Sequence, residues 1–141
     1  MARDIIRTGD APSSSIFSQA VRTGGLIFVS GQAPIDPATG RISGETIQEQ
    51  TRQSLTNVQT ILAAAGSGLD KIVSATVILV EESDFAGMNE EWARWFPADP
   101  PAPAGRKAAD QLGRDQGLGG RDRRGVTGPR LAMLRPCRPT T

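Results

Sequence analysis

The chain changes character just after Pro97, and that break confines any hydrophobic core to the first part. Residues 1–97 hold all six aromatic side chains: Phe17, Phe28, Phe85, Trp92, Trp95 and Phe96. The remaining 44 residues hold none, and Val126 is their only β-branched aliphatic. Charge divides at the same point, with 7 basic against 11 acidic groups before it (net −4) and 9 against 4 after it (net +5). A basic, aromatic-free stretch rich in Gly, Arg and Pro offers little apolar surface to offset the entropy lost on ordering. The expected organisation is therefore a folded unit over residues 1–103 and an atypical tail over 104–141. A core this small makes burial against other subunits an attractive further source of stability.

Several function classes are disfavoured. No run of 18 apolar residues occurs, so a membrane span is not expected. The opening Met1-Ala2-Arg3-Asp4 lacks the apolar region of a secretory signal, which makes the cytoplasm the expected location. There is no histidine and one cysteine, Cys137, which excludes a zinc cluster of the usual ligands and a Ser-His-Asp set. Arg135 and Arg138 near Cys137 favour its thiolate, but no base accompanies it.

Within the first part the hydrophobic period alternates between strand and helix. Leu26-Ile27-Phe28-Val29-Ser30 reads as an inner strand, and Phe17 through Val21 as its hairpin partner across Thr23-Gly24-Gly25. Pro34 through Gly40 is turn-rich. From Thr46 to Ala65, Ile47, Leu55, Val58, Leu62 and Ala65 follow helical spacing, and Gly66-Ser67-Gly68 ends the run. Ile72 through Val80 reads as an apolar strand. A second helix carries Phe85, Met88, Trp92 and Trp95 or Phe96, with Ser83 or Asp84 as its N-cap and Pro97 as its stop. The order strand, strand, helix, strand, helix predicts an α+β fold with two helices on one face of a mixed sheet. The tail offers no good candidate for the strands that would complete it.

These elements carry a distributed resemblance to the RidA family, the YjgF/UK114 reactive-intermediate deaminases. It runs over about residues 9–101. It includes Ala11-Pro12, Phe17-Ser18-Gln19-Ala20-Val21, Leu26-Ile27-Phe28-Val29-Ser30-Gly31-Gln32 and Asp36-Pro37-Ala38-Thr39-Gly40. It continues through Thr51-Arg52-Gln53-Ser54-Leu55-Thr56-Asn57-Val58, Ala64-Ala65-Gly66 and Asp84-Phe85-Ala86-Gly87-Met88-Asn89-Glu90-Glu91-Trp92. The resemblance implies a chorismate-mutase-like fold, a homotrimer with its sheets facing inward, and sites in the clefts between subunits. It implies hydrolysis of 2-aminoacrylate-type enamines and imines to 2-oxo acids and ammonia, with no metal or cofactor.

By the same resemblance Phe17, Ser30, Gly31 and Asn89 are substrate-binding candidates. Phe17 stands where the family often has tyrosine, so it can pack but cannot donate a phenolic hydrogen bond. The family's Pro-x-Arg segment and its final acidic strand are not recognisable. Arg106, after Pro100-Pro101-Ala102-Pro103-Ala104-Gly105, is the nearest equivalent of the arginine that would hold a substrate carboxylate. Such an abrupt loss of pattern is expected of translation out of frame, or of genuine divergence.

Other readings compete. A trimeric member weakened in catalysis would act as a binding or structural protein. Arg114, Arg121, Arg123, Arg124, Arg130, Arg135 and Arg138 could attract RNA, as in an RNA-binding or endoribonuclease-like protein, although the tail has no aromatic to stack on bases. The Trp92, Trp95 and Phe96 stripe is expected to pack rather than bind. Arg52 reads as an exposed helix residue or a salt-bridge partner between subunits, and Glu90 and Glu91 as an ordinary polar helix face.

Overall fold

The computed structural model describes residues 2–107 and 134–135. The predicted hairpin forms between β2 (Ala20–Thr23) and β3 (Leu26–Val29), with Ala20 opposite Val29 and Thr23 opposite Leu26. Its two-residue turn is Gly24-Gly25 with φ of 55° and 71°, the positive values needed to match the strand twist. The first strand starts at Ala20, not at Phe17. A short edge strand that the sequence pattern does not show, β1 (Asp4–Ile6), pairs antiparallel with β2. The turn-rich segment holds a small separate hairpin of β4 (Ile35–Asp36) and β5 (Arg41–Ile42).

The first helix, α1, spans Ile47–Ala64. Its start is fixed by a reciprocal capping box: Thr46 Oγ1 accepts from Glu49 N at 3.2 Å, and Glu49 Oε2 accepts from Thr46 N at 3.1 Å. Backbone donors at Thr46 and Glu45 hold the Glu49 carboxyl below its ordinary pKa. The helix ends in a Schellman motif, with Ser67 N donating to Leu62 O at 2.8 Å and Gly66 N to Ala63 O at 2.9 Å. Gly66 takes the left-handed position at φ 72°.

Strand β6 (Ser74–Leu79) then alternates cleanly, burying Ala75, Val77 and Leu79. After a 3-10 turn over Glu82–Asp84 comes α2 (Phe85–Trp95), with Asp84 at the N-cap position. Ala75 packs in one cluster with Leu55, Val58, Ile61 and Leu62 of α1, while Val77 and Leu79 pack with Met88 and Trp92 of α2. Because residues two apart on a strand share a face, both helices lie on the same side of the sheet. Trp92 and Phe96 stack with ring centroids 4.6 Å apart, so this part of the stripe is packing. Phe85, counted in the same stripe, is instead exposed at the first turn.

The expectation that the tail offers no good candidate for the missing strands needs correction. Ala102–Lys107 forms β7, parallel to β6, and Leu134–Arg135 forms β8 between β3 and β6. The sheet order is β1-β2-β3-β8-β6-β7. The one proline of β7, Pro103, is tolerated for a positional reason. Ala102 N donates to Val73 O at 3.0 Å, so the next residue, Pro103, falls where an edge strand's N–H points away from the sheet. Strand β8 is only two residues long, bridging Val29 and Ala75 through Leu134. The boundary expected between 103 and 104 falls inside β7. Cys137 and the arginines at 114, 121, 123, 124, 130 and 138 lie outside the described residues.

The other face of the sheet carries no helix of the described chain. Ile5, Val21 and Phe28 lie side by side across β1, β2 and β3, and Ile5 and Phe28 are 37% and 38% exposed.

Candidate functional site

The candidate residues fall into separate groups. Phe17 and the end of β3 come together. Ser30 N donates to Gln19 O at 2.9 Å, and Ser30 Oγ donates to Ser18 O at 2.5 Å. These bonds hold the segment carrying Phe17 against the strand end, and Gly31 follows, exposed. Phe17 is 69% exposed, so it does not cover the core of this chain. The geometry gives Ser30 a structural task as well, since its hydroxyl proton is already committed.

Asn89 and Arg106 are not gathered into this patch. Asn89 is exposed on α2, next in sequence to the buried Met88. Arg106 sits in β7 level with Ile78. Strands β3, β6 and β7 run in one direction, and β3 and β7 are separated by β8 and β6. Three strand spacings of about 4.8 Å put the two strands roughly 14 Å apart.

A depression of about 770 Å³ lies elsewhere, at the C-terminal ends of α1 and α2. Gln59, Asp70, Trp95 and Asp99 are among its lining residues, and none of the five candidates is. Its size alone does not make it the site. Among the described residues no helix is long and apolar enough to cross a membrane, and no group of three potential metal ligands occurs.

Two buried polar devices lay hidden in the sequence pattern. Glu91, expected on an ordinary polar face, has a side chain only 2% exposed. It accepts from Arg52 Nε at 2.9 Å and Nη2 at 3.0 Å, and from Trp95 Nε1 at 3.0 Å. The Arg52 hydrogen bonds are the main reason its carboxyl is held below the ordinary glutamate pKa, against the opposing effect of burial. The expectation of a salt bridge to another subunit is thus corrected: Arg52 pairs with Glu91 of its own chain and joins α1 to α2. The second device is Gln19, whose side-chain amide is buried among the carbonyls of residues 8–12. Neither was detectable by periodicity, since the partners lie far apart in sequence.

The endoribonuclease L-PSP family profile matches residues 8–110. The chain belongs to this family, also known as the RidA/YjgF family. A RutC family protein of Pyrococcus horikoshii is 44% identical over 101 residues, covering 71% of this chain and 80% of that protein. The 2-iminobutanoate/2-iminopropanoate deaminase of Capra hircus is 37% identical over 110 residues, covering 77% and 80% respectively. Among solved structures, E. coli TdcF with bound serine superposes with a TM-score of 0.77 at 30% identity, covering 97% of this chain and 99% of that one. The mixed α+β architecture is thus the RidA-like fold that the sequence resemblance implies.

Proposed function

We propose that the protein hydrolyses reactive 2-imino and 2-enamino acids of the 2-aminoacrylate type to 2-oxo acids and ammonia, in sites completed between the subunits of a homotrimer. The observation that carries this reading is the patch of Phe17, Ser30 and Gly31, locked by two hydrogen bonds at the end of β3 in a family with relatives named as deaminases. Tautomerisation of the enamine to the imine makes C2 electrophilic. Water adds there, and the C2–N bond of the resulting carbinolamine breaks to release ammonia and leave the carbonyl. The protein's task is to hold the substrate and orient water.

In this reading Phe17 packs against the apolar end of the substrate, and Gly31 admits it close to the backbone. Asn89, exposed on α2, is a polar contact offered from a second chain. The carboxylate falls to Arg106, whose planar guanidinium suits a bidentate grip. The helix-free face bearing Ile5, Val21 and Phe28 supports burial against other subunits. Freshly generated 2-aminoacrylate, followed by pyruvate and ammonia release, is the test. Folded wild-type protein should accelerate release, and Arg106→Ala should raise KM. No acceleration above buffer by a trimer of the expected mass rejects the deaminase reading.

One observation favours a second reading, a trimeric binding member weakened in catalysis. Phe17 has no hydroxyl, and the Ser30 proton is committed to Ser18 O. Binding of a non-reactive 2-oxo acid without turnover of 2-aminoacrylate would select it.

A further inference from the structure

Gln19 joins three pieces of chain that otherwise have little to hold them together. Its Nε2 donates to the carbonyls of Thr8 at 3.0 Å, Ala11 at 3.1 Å and Pro12 at 3.0 Å, and its Oε1 accepts from Thr8 N at 2.7 Å. An amide has two N–H groups, so three acceptors at these distances require one hydrogen to be shared. The residue is 6% exposed, and its own carbonyl receives Ser30 N. One side chain thus closes the loop from Pro12 to Gln19, while its backbone docks that loop on the end of β3.

Between those ends lie Ser13, Ser14, Ser15, Ile16 and Phe17, all exposed. The loop's internal side-chain bond is Ile16 N to Ser14 Oγ at 3.2 Å. Phe17 has little packing of its own to fix it, so its position is inherited from the loop ends. We propose that Gln19 is a positioning residue: it sets the loop bearing Phe17 against Ser30 and Gly31, and so forms one wall of the substrate pocket. This rests on the deaminase reading. Misplacing a binding group by about 1 Å can cost on the order of 100-fold in rate, so the clamp bears directly on turnover.

The test is a double-mutant cycle of Gln19→Met with Phe17→Ala, joined to amide hydrogen exchange. Methionine keeps the length and apolar volume of the side chain but removes its donors and acceptor. If Gln19 acts by placing Phe17, each single change lowers kcat/KM by roughly tenfold or more, and the double mutant is no worse than the poorer single. Losses that multiply would overturn the proposal, because a merely structural residue acts independently of Phe17. Exchange gives a readout that does not depend on the reaction. In Gln19→Met, the Ser30 amide, which donates to Gln19 O and so reports the docking of the loop, should exchange at least about tenfold faster, with the amides of α1 unchanged. Unchanged exchange at Ser30 overturns the clamp. If wild-type protein shows no turnover while the exchange difference is present, the deaminase reading and the pocket-wall role fail together and the clamp itself stands. Should the methionine variant not fold, Gln19→Asn, which keeps the amide one methylene short, takes the same measurements.

Discussion

The buried end of the Arg52–Glu91 pair makes a sharp prediction, because its two halves stand in different surroundings. The Glu91 side chain is 2% exposed, whereas that of Arg52 is 50% exposed. Removing the glutamate charge leaves an arginine that water can solvate. Removing the arginine leaves a carboxylate inside the protein with Trp95 Nε1 at 3.0 Å and a longer contact to Arg94 at 3.6 Å. Glu91→Gln keeps an acceptor for Trp95 and gives up charge-assisted bonds, so it should cost about 1–2 kcal/mol, reduced toward the lower end by solvent on the arginine side. Arg52→Met should cost more than Glu91→Gln, since an unpaired buried charge is the worse outcome. Replacing both, as Arg52→Met with Glu91→Leu, should recover much of that loss. Urea denaturation at pH 7 measures all three. If Arg52→Met is no more damaging than Glu91→Gln, or if the double variant shows additive losses, the picture of a desolvated carboxylate needing its cation is wrong.

The same pair predicts acid sensitivity. The folded-state pKa of Glu91 is depressed, mainly by the Arg52 hydrogen bonds. Its stabilisation is therefore fully present above the unfolded value of about 4.3 and lost as pH falls through the lower folded value; a Glu91→Gln variant should show a shallower loss of stability in that window. On α1, the buried Thr51 Oγ1 has no hydrogen-bond partner among the described residues. Thr51→Val should accordingly be neutral or stabilising by up to about 1 kcal/mol, and a clear loss in thermal unfolding would show that the hydroxyl is satisfied. Gly66→Ala should destabilise by about 1 kcal/mol through its φ of 72° alone, because an added Cβ there meets nothing within 4 Å. Equal stability of the two proteins in urea would contradict that backbone argument.

Helix α1 was legible because every local signal agreed: the Thr46 cap, the period of Leu55, Val58 and Leu62, and the stop at Gly66. The strand expected from Phe17 failed for a side-chain reason. Gln19 spends its amide on the backbone of residues 8–12, and the chain ahead of it runs as an exposed loop. Strand β7 was hidden by its proline, Pro103, whose acceptability depends on which side of an edge strand a missing N–H falls. The burial of Glu91 was invisible because its partner lies 39 residues away. The sequence resemblance named Phe17, Ser30, Gly31, Asn89 and Arg106 without grouping them, and the fold puts the first three together at the end of β3 and Arg106 on a different strand.

That separation bears on whether one chain can work alone. Within one chain, β7 with Arg106 is separated from the patch at the end of β3 by β6 and β8. A neighbouring copy can instead bring its β7 edge to the patch without crossing its own sheet. The two arrangements differ in a mixing experiment. Gly31→Leu blocks backbone approach at the patch, and Arg106→Ala removes the carboxylate grip, so each variant alone should have little activity. If sites form across chains, co-refolding equal amounts regenerates an intact pairing at roughly one interface in four, and about a quarter of wild-type activity should return. If both groups serve within one chain, every chain in the mixture carries one defect and activity stays at the level of the single variants. Recovery near a quarter would place Arg106 opposite a neighbour's Gly31. No recovery from demonstrably mixed trimers would refute the shared cleft.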